Sequence, residues 1–547
     1  MDRRFLLAVA LMAIVLVGPS LFMKRPARPA AAADSSALAQ RAAAPAAGPA
    51  DVPARPLAGA AMPAPSASYD TASLLLPNAV YRFTTRGAAL EQATFPGIRS
   101  FQPGDAKGPV RLLRPGEPLL VSRLVAGGDT VRLDDVPFRI EERGGSISMS
   151  GRAGALAPEL RVSPVSGRPY LLDVQGTVAG LEGRGALLLV GLADGFANVE
   201  ADSLDNLRNY AVAVRRATPE NTDFRAVDSG AVKTLDGPLD WVAVKSKYFI
   251  GALLSADSAR PQFGGAVLVG GPRTGRLANR MQTWVTMPVG LDGKFHYQLY
   301  LGPNSHQVLA SLGRELDRAT TYGAFLKGIV MPVAGWFTWL FIWMHQHLHL
   351  SYGLVLVLFG VLVRLALWPL NQRAMKSQVA MMAIQPVLKD IQTRYKNDPT
   401  RLQTEMMKVY KEHGVNPLGG CLPMLLPMPV LLALFFVFSR AIELRGTPFL
   451  WLPDLSLRDP YLVTPLVMGG SMYVLSKLSQ AGMPPNPQAK MMTVMMPIVM
   501  TVLFVNFASG LNLYYAVSNL VSLPQQYLIN KARLAEMGRR QMAVGKT

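Results

Sequence analysis

Apolar residues are spread unevenly along this chain. From about Ile329 onward they gather into long runs: 324–344, then Tyr352–Leu370, Leu422–Phe438, Leu462–Leu475 (extendable to Leu478), Met491–Ala508 and Leu511–Leu528. A span of the hydrocarbon core takes roughly 20 apolar residues, so the last five runs predict five membrane-spanning helices. The final two are joined only by Ser509-Gly510, which predicts an antiparallel helical hairpin. The 324–344 run carries Trp336, Trp339 and Trp343, spaced to share one helical face. Trp prefers the membrane–water interface, so an amphipathic helix lying in the interface is expected over 321–350, with a further span as its rival.

The first 320 residues follow a different pattern. Phe5–Met23 forms one apolar run after Asp2-Arg3-Arg4 and ends in Lys24-Arg25. It is long for the core of a signal peptide and is read as a retained anchor, residues 1–25. Residues 26–70 are rich in Ala and Pro and poor in large apolar side chains, which describes a linker. From 71 to 320, short apolar segments such as Ala79–Thr84, Leu119–Leu124, Ala186–Val190 and Gln298–Leu301 alternate with turns such as Gly127-Gly128-Asp129 and Gly144-Gly145. That pattern predicts an antiparallel β sandwich, and Gln307–Thr320 is compatible with a helix.

Charge orients the spans. The formal charge is +19, with 55 Lys and Arg against 36 Asp and Glu. In so apolar a chain this fits positive cytoplasmic flanks rather than nucleic acid, and DNA is not an expected partner. The 372–418 segment carries eight Lys or Arg, the tail after Leu528 five, and the 439–460 loop three. The segment 372–418 and the tail 530–547 are therefore assigned to the cytoplasm and the β domain to the exported side. Lys24, Arg25 and Arg28 point the other way locally, but the later spans agree with one another.

Few residues suggest chemistry. Cys421 is the only cysteine, so no intrachain disulfide can form. His345 and His349 have metal-compatible spacing but form a weak signal. Gly545-Lys546-Thr547 resembles the end of a phosphate loop, without a helix to follow it. No nucleophile or metalloprotease motif is present, and neither an enzyme nor a cofactor is expected. Arg364 stands out. A charge in mid-span costs about 2.5–3.5 kcal/mol on insertion scales, so it should face a polar cavity or snorkel toward Asn371. None of the five runs contains an acidic residue that could pair with it. The cytoplasmic segment predicts two helices, with Asp398 as N-cap, Pro399 at the first helical position and Gly414 as the stop. Pro386 should kink the first helix. Met375, Met381, Met382, Met406 and Met407 stud this hairpin, which fits either varied apolar clients or plain self-packing. Prolines 423, 427, 429 and 497 free backbone carbonyls inside the runs, which suits a hydrated interior.

The stretch Asn416-Pro417-Leu418-Gly419-Gly420-Cys421-Leu422-Pro423 resembles the YidC family. The likeness continues through Met428-Pro429, Pro448-Phe449, Asp454-Leu455-Ser456, Asp459-Pro460-Tyr461 and Ser509-Gly510-Leu511-Asn512-Leu513-Tyr514-Tyr515. Arg364 before Trp368-Pro369-Leu370 falls where that family keeps an intramembrane arginine. The likeness is specific over about 320–530 and looser toward the N-terminus, where it fits the Gram-negative type with a large periplasmic domain. Two positions depart from it: Pro427 replaces a frequent glutamine, and Gly360 stands where relatives can carry a hydroxyl.

The resemblance implies a polytopic inner-membrane insertase: an N-terminal anchor, a periplasmic β sandwich (71–320), the interfacial helix, and a five-helix core formed by helix 351–371 and the spans within 419–529. The core would enclose a hydrophilic groove open to the cytoplasm and to lipid. Arg364 and Gly360 would lie in that groove with Met428, Pro429, Leu431, Met468 and Tyr515. Nascent membrane proteins would be the clients, taken alone or with the Sec translocon. The hairpin 372–418 and the basic tail would meet ribosomes, and the tail anionic lipid. Two other functions compete: a small-anion or lipid transporter using the same groove, and an exported binding module centred on the β domain.

Overall fold

The computed structural model describes residues 70–102, 108–181, 183–257, 259–275, 277–320, 327–369, 372, 384–414, 428–481 and 487–544. The expected anchor, most of the linker and the 416–423 motif lie outside them. The chain divides into two compact units, 1–302 and 303–547.

The first unit is an antiparallel β sandwich built from a nine-stranded, a six-stranded and a four-stranded sheet with a two-stranded ribbon. Alternation writes its faces. Along Met281–Val289 buried side chains alternate with partly or fully exposed ones, as expected for a strand with one face in the core. Trp241–Lys245 and Phe249–Ser255 are buried at every position, so both faces of these central strands are covered. The four-stranded sheet packs on the nine-stranded one through Phe95 stacked on Phe249 at 5.6 Å, and the Tyr81 hydroxyl donates to the Leu301 carbonyl at 2.6 Å. Gly144 and Gly145 both take positive φ between the paired strands Phe138–Arg143 and Ser146–Gly151, a turn that glycine enters without strain. The expected strand at Leu119–Leu124 instead runs Val121–Ala126. Leu119 bridges Leu90 in another sheet and Leu120 turns at φ 63°. Among the described residues one short α-helix, α1 (Ser203–Arg208), interrupts the strands, capped by the Asp202 carboxylate.

The second unit is helical. After α2 (His306–Leu312) come α3 (Lys327–Leu348), α4 (Tyr352–Ala366), α5 (Gln385–Arg394), α6 (Pro399–Glu412), α7 (Met428–Arg440), α8 (Val463–Ser479), α9 (Pro487–Phe504) and α10 (Ser509–Val544). Among the described residues no single helix is long and apolar enough to cross a membrane. The segments Pro332–Leu348 and Tyr352–Ala366 reach that length only together, bent by 116°. On α3, Trp336, Trp339 and Trp343 share an exposed face, while Val330, Phe337, Phe341 and Met344 are buried opposite.

Three features differ from expectation. The run expected to reach Leu370 as one helix breaks at Leu367, where α4 ends, and helical backbone resumes at Trp368. Pro386 sits in the first turn of α5 and starts the helix rather than kinking it. The turn that joins the last two runs lies ahead of Ser509-Gly510, and the Phe504 and Tyr515 rings meet across it. The turn falls at 505–508, and α9 and α10 each pack on α8. The basic tail continues α10 as far as Val544.

The α5–α6 hairpin closes on Ile384, Leu388 and Val409, with Ile391, Met406 and Tyr410 against them. Asp398 caps α6 by accepting from the Arg401 amide at 3.1 Å, and Gly414 follows its end at φ 61°. Met406 therefore serves the hairpin's own core, whereas Met407 is exposed; Met375, Met381 and Met382 lie outside the described residues.

Candidate functional site

Because α4 ends at Ala366, Arg364 stands in its last turn, not at mid-helix. A cation there complements the helix dipole. The side chain is half-buried and turned toward α10, where its Nε donates to the Ser518 carbonyl at 3.1 Å. Among the described residues no carboxylate pairs with it. One turn earlier, Gly360 lets the two helices approach: a Cβ there would sit 3.2 Å from the Val517 side chain and 3.7 Å from the Ser518 hydroxyl.

The surroundings of this contact are polar. Ser518, Asn519, Ser522, Gln525, Gln526 and Asn530 are all buried on α10. Some of them tie α10 to α8: the Asn519 amide donates to the Met468 carbonyl at 3.4 Å and to Ser471 Oγ at 3.2 Å, and Asn530 donates to the Leu478 carbonyl. The Gln525 amide nitrogen is buried without a hydrogen-bond partner among the described residues. Buried polar groups are normally paired with protein or water, so a stretch this polar marks a place built to hold more than hydrocarbon. Asn512, Asn519 and Gln526 recur every seven residues inside an apolar run. That signal was legible in the sequence and singles out Asn519 and Gln526, which none of the motifs above contains.

The opposite end of the helical unit is closed. Three motifs apart in sequence meet there. Asp454 accepts from the Ser456 amide (2.7 Å) and hydroxyl (2.8 Å). The Ser509 amide donates to the Leu457 carbonyl at 2.7 Å, its hydroxyl to the Asp454 carbonyl at 3.1 Å, and the Gly510 amide to the Leu455 carbonyl at 3.0 Å. The first amides of a helix lack partners within it, and this loop supplies them. Asp459, itself buried, accepts from the Tyr461 amide at 2.9 Å, the Thr464 amide at 2.6 Å and the Trp451 indole at 3.3 Å. Phe449 fills the space left by the absent side chain of Gly353 on α4.

Of the residues expected in a groove, Gly360, Arg364, Tyr515 and Met468 converge on residues 515–519 of α10, with Met468 fully buried. Met428 and Pro429 open α7, and their side chains lie outside the described residues, as does Pro427. Leu431 is half-buried on the same helix. Among the described residues no cluster of His, Cys, Asp or Glu could hold a metal ion. In the β sandwich, an open cleft of about 1120 Å³ is lined by outward-facing Glu159, Arg161, Gln175 and His296 with Arg260 and Gln262.

Comparison with known proteins matches two successive stretches of the chain. The family described as 60Kd inner membrane protein matches residues 343–536, and the YidC periplasmic domain matches 193–340. A membrane protein insertase YidC of Syntrophus aciditrophicus is 36% identical over 311 residues, covering 55% of this chain and 53% of that one. Another, from Anaeromyxobacter sp. (strain K), is 34% identical over 409 residues, covering 73% and 72%. The chain thus spans about half the length of the first relative and nearly three quarters of the second. The crystal structure of YidC from Thermotoga maritima is similar at 15% identity and TM-score 0.30, covering 84% of this chain and 98% of that one. With a relative above 30% identity matched over most of both chains, the chain belongs to the YidC membrane protein insertase family.

Proposed function

We propose that this protein inserts hydrophobic segments of newly made proteins into the bacterial inner membrane. The observation that carries this reading is the inward turn of Arg364 onto the polar stretch of α10. In this reading α4 and α7–α10 belong to the bilayer core. The tryptophan face of α3 lies in the interface, α5–α6 and the end of α10 in the cytoplasm, and the β sandwich in the periplasm.

The groove lies between α4 and α10, on the cytoplasmic side of the loop seal at 441–462. Arg364 attracts an acidic or polar group on the translocated end of a client. Gly360, Tyr515 and Met468 line the way, with Met428, Pro429 and Leu431 on α7 as the apolar surface against which the client slides into lipid. Polar surroundings lower the cost of moving polar groups through part of the bilayer, and burial of the client's apolar surface drives the step. No bond is made or broken, and no nucleotide or cofactor is required. The hairpin and the basic end of α10 meet ribosomes and anionic lipid, and the Sec translocon shares part of the client load.

Site-specific crosslinking from positions 364, 428 and 515 to nascent membrane proteins tests the reading. Crosslinks to client transmembrane segments are expected. Their absence at normal expression overturns it, and uptake of a defined small anion by proteoliposomes would favour transport instead. Deleting residues 71–300 separates the third function: an insertase retains activity, whereas a binding module loses it.

A further inference from the structure

The loop between α7 and α8 carries exposed apolar residues that the closure of the helical unit does not use. Leu450 is 72% exposed and Tyr461 69%, with Trp451 and Leu462 exposed beside them. Leu450 and Leu462 also have φ of 53° and 60°, a region that leucine rarely adopts. Hydrogen bonds hold both in place. Phe449 and Leu452 exchange amide-to-carbonyl bonds at 2.9 Å across Leu450, and Asp459 binds the amides on either side of Leu462 together with the Trp451 indole. Strain held in this way, and placed to present a large apolar side chain outward, points to function.

The charges of the loop point the other way. Asp454 and Asp459 are buried, and only Arg458 is exposed at the tip. The exposed apolar surface also continues without a break onto α8, through Val463, Leu466 (63% exposed), Val467 and Val474. These positions share one helical face.

Resting on the membrane reading above, we propose that the tip of this loop is a rigid wedge set into the exported leaflet rather than an aqueous connection. Leu450 and Leu462 reach the acyl chains. Trp451 and Tyr461 sit at the glycerol level, where amphipathic rings are favoured, and Arg458 extends to the phosphates. The wedge carries the lipid-facing stripe of α8 past its N-terminus. It anchors the sealed end of the groove at a fixed depth while the opposite end admits clients.

The test uses the full chain with Cys421→Ser, spin-labelled singly at Leu450→Cys, Leu462→Cys, Leu362→Cys or Leu291→Cys in phosphatidylethanolamine–phosphatidylglycerol liposomes. Accessibility to oxygen and to a water-soluble nickel chelate is then compared. Leu362 faces outward on α4 and Leu291 tips a β turn. Labels at 450 and 462 should match 362 in favouring oxygen, with 291 favouring nickel. If 450 and 462 behave like 291 while 362 favours oxygen, the wedge is overturned and the membrane core stands. If 362 also favours nickel, both fail. If one of the two wedge labels yields a chain whose thermal unfolding shows it misfolded, the other wedge position alone is read, and the same outcomes decide.

Discussion

Arg364 and Ser518 are joined across two helices by one hydrogen bond, from the guanidinium Nε to a backbone carbonyl at 3.1 Å. A carbonyl accepts without neutralising, so the arginine keeps its full charge for another partner. Arg364→Ala removes this bond and, in the proposed groove, the charge-assisted contact with the client, worth about 1.5–3 kcal/mol. Insertion of a client with an acidic leading end should fall by about tenfold or more, since 1.4 kcal/mol is tenfold, while a client with no such group is affected less. Arg364→Lys should restore part of the loss. An insertion assay with both clients checks this, and equal loss for both would remove the role of the charge.

Gly510 meets the Phe438 ring at the sealed end, where a Cβ would lie 2.8 Å from the ring's Cδ1. Gly510→Ala should therefore destabilise by about 1–3 kcal/mol through overpacking. Thermal unfolding in detergent measures it, and Phe438→Leu in the same chain should recover part of the loss by making room.

Asp459 accepts from an amide in the first turn of α8, whose N-cap residue Leu462 makes no side-chain bond. Asp459→Ala removes three acceptor contacts and should lower stability by about 1–2 kcal/mol, the size of loss seen when an N-cap is removed. Hydrogen exchange should speed up at the amides of Tyr461 and Thr464 before it does in the middle of α8.

Glu443 makes the stem at 303–320 sensitive to pH. Burial raises its carboxyl above the ordinary value of 4.5, against the opposing pull of its own backbone amide, the Ser305 hydroxyl at 2.8 Å and His306. Arg440, Asn304 and Asp317 line the same small cavity of about 30 Å³. A carboxyl with a raised folded-state value favours the fold when protonated. Its contribution is complete below 4.5 and is lost as pH rises through the raised value. Wild-type melting temperature should fall across that window, and Glu443→Gln should flatten the dependence. An unchanged slope in the variant would assign the effect elsewhere.

Leu388 is 6% exposed in the core of the α5–α6 hairpin. Leu388→Ala should destabilise it by about 2–5 kcal/mol, seen as faster proteolysis within 385–412 while the β sandwich stays protected.

Much of this was legible in the sequence. The alternation of 71–301 marked strands, and the glycine pairs at 127–128 and 144–145 marked turns, because each depends on neighbours a few residues away. Asp398, Pro399 and Gly414 bounded α6 for the same reason. Arg364 was conspicuous because a charge in an apolar run is costly wherever the run folds. Tertiary structure decided what these residues meet. Nothing local showed that Arg364 would end a helix and turn onto Ser518, or that Ser509-Gly510 would begin α10 and receive the 454–457 loop instead of making a turn. Those outcomes depend on amides and carbonyls more than fifty residues apart finding one another, and on α8 packing along both α9 and α10. Periodicity reports which face of an element is buried, whereas the partner that buries it is chosen only when the whole chain has packed.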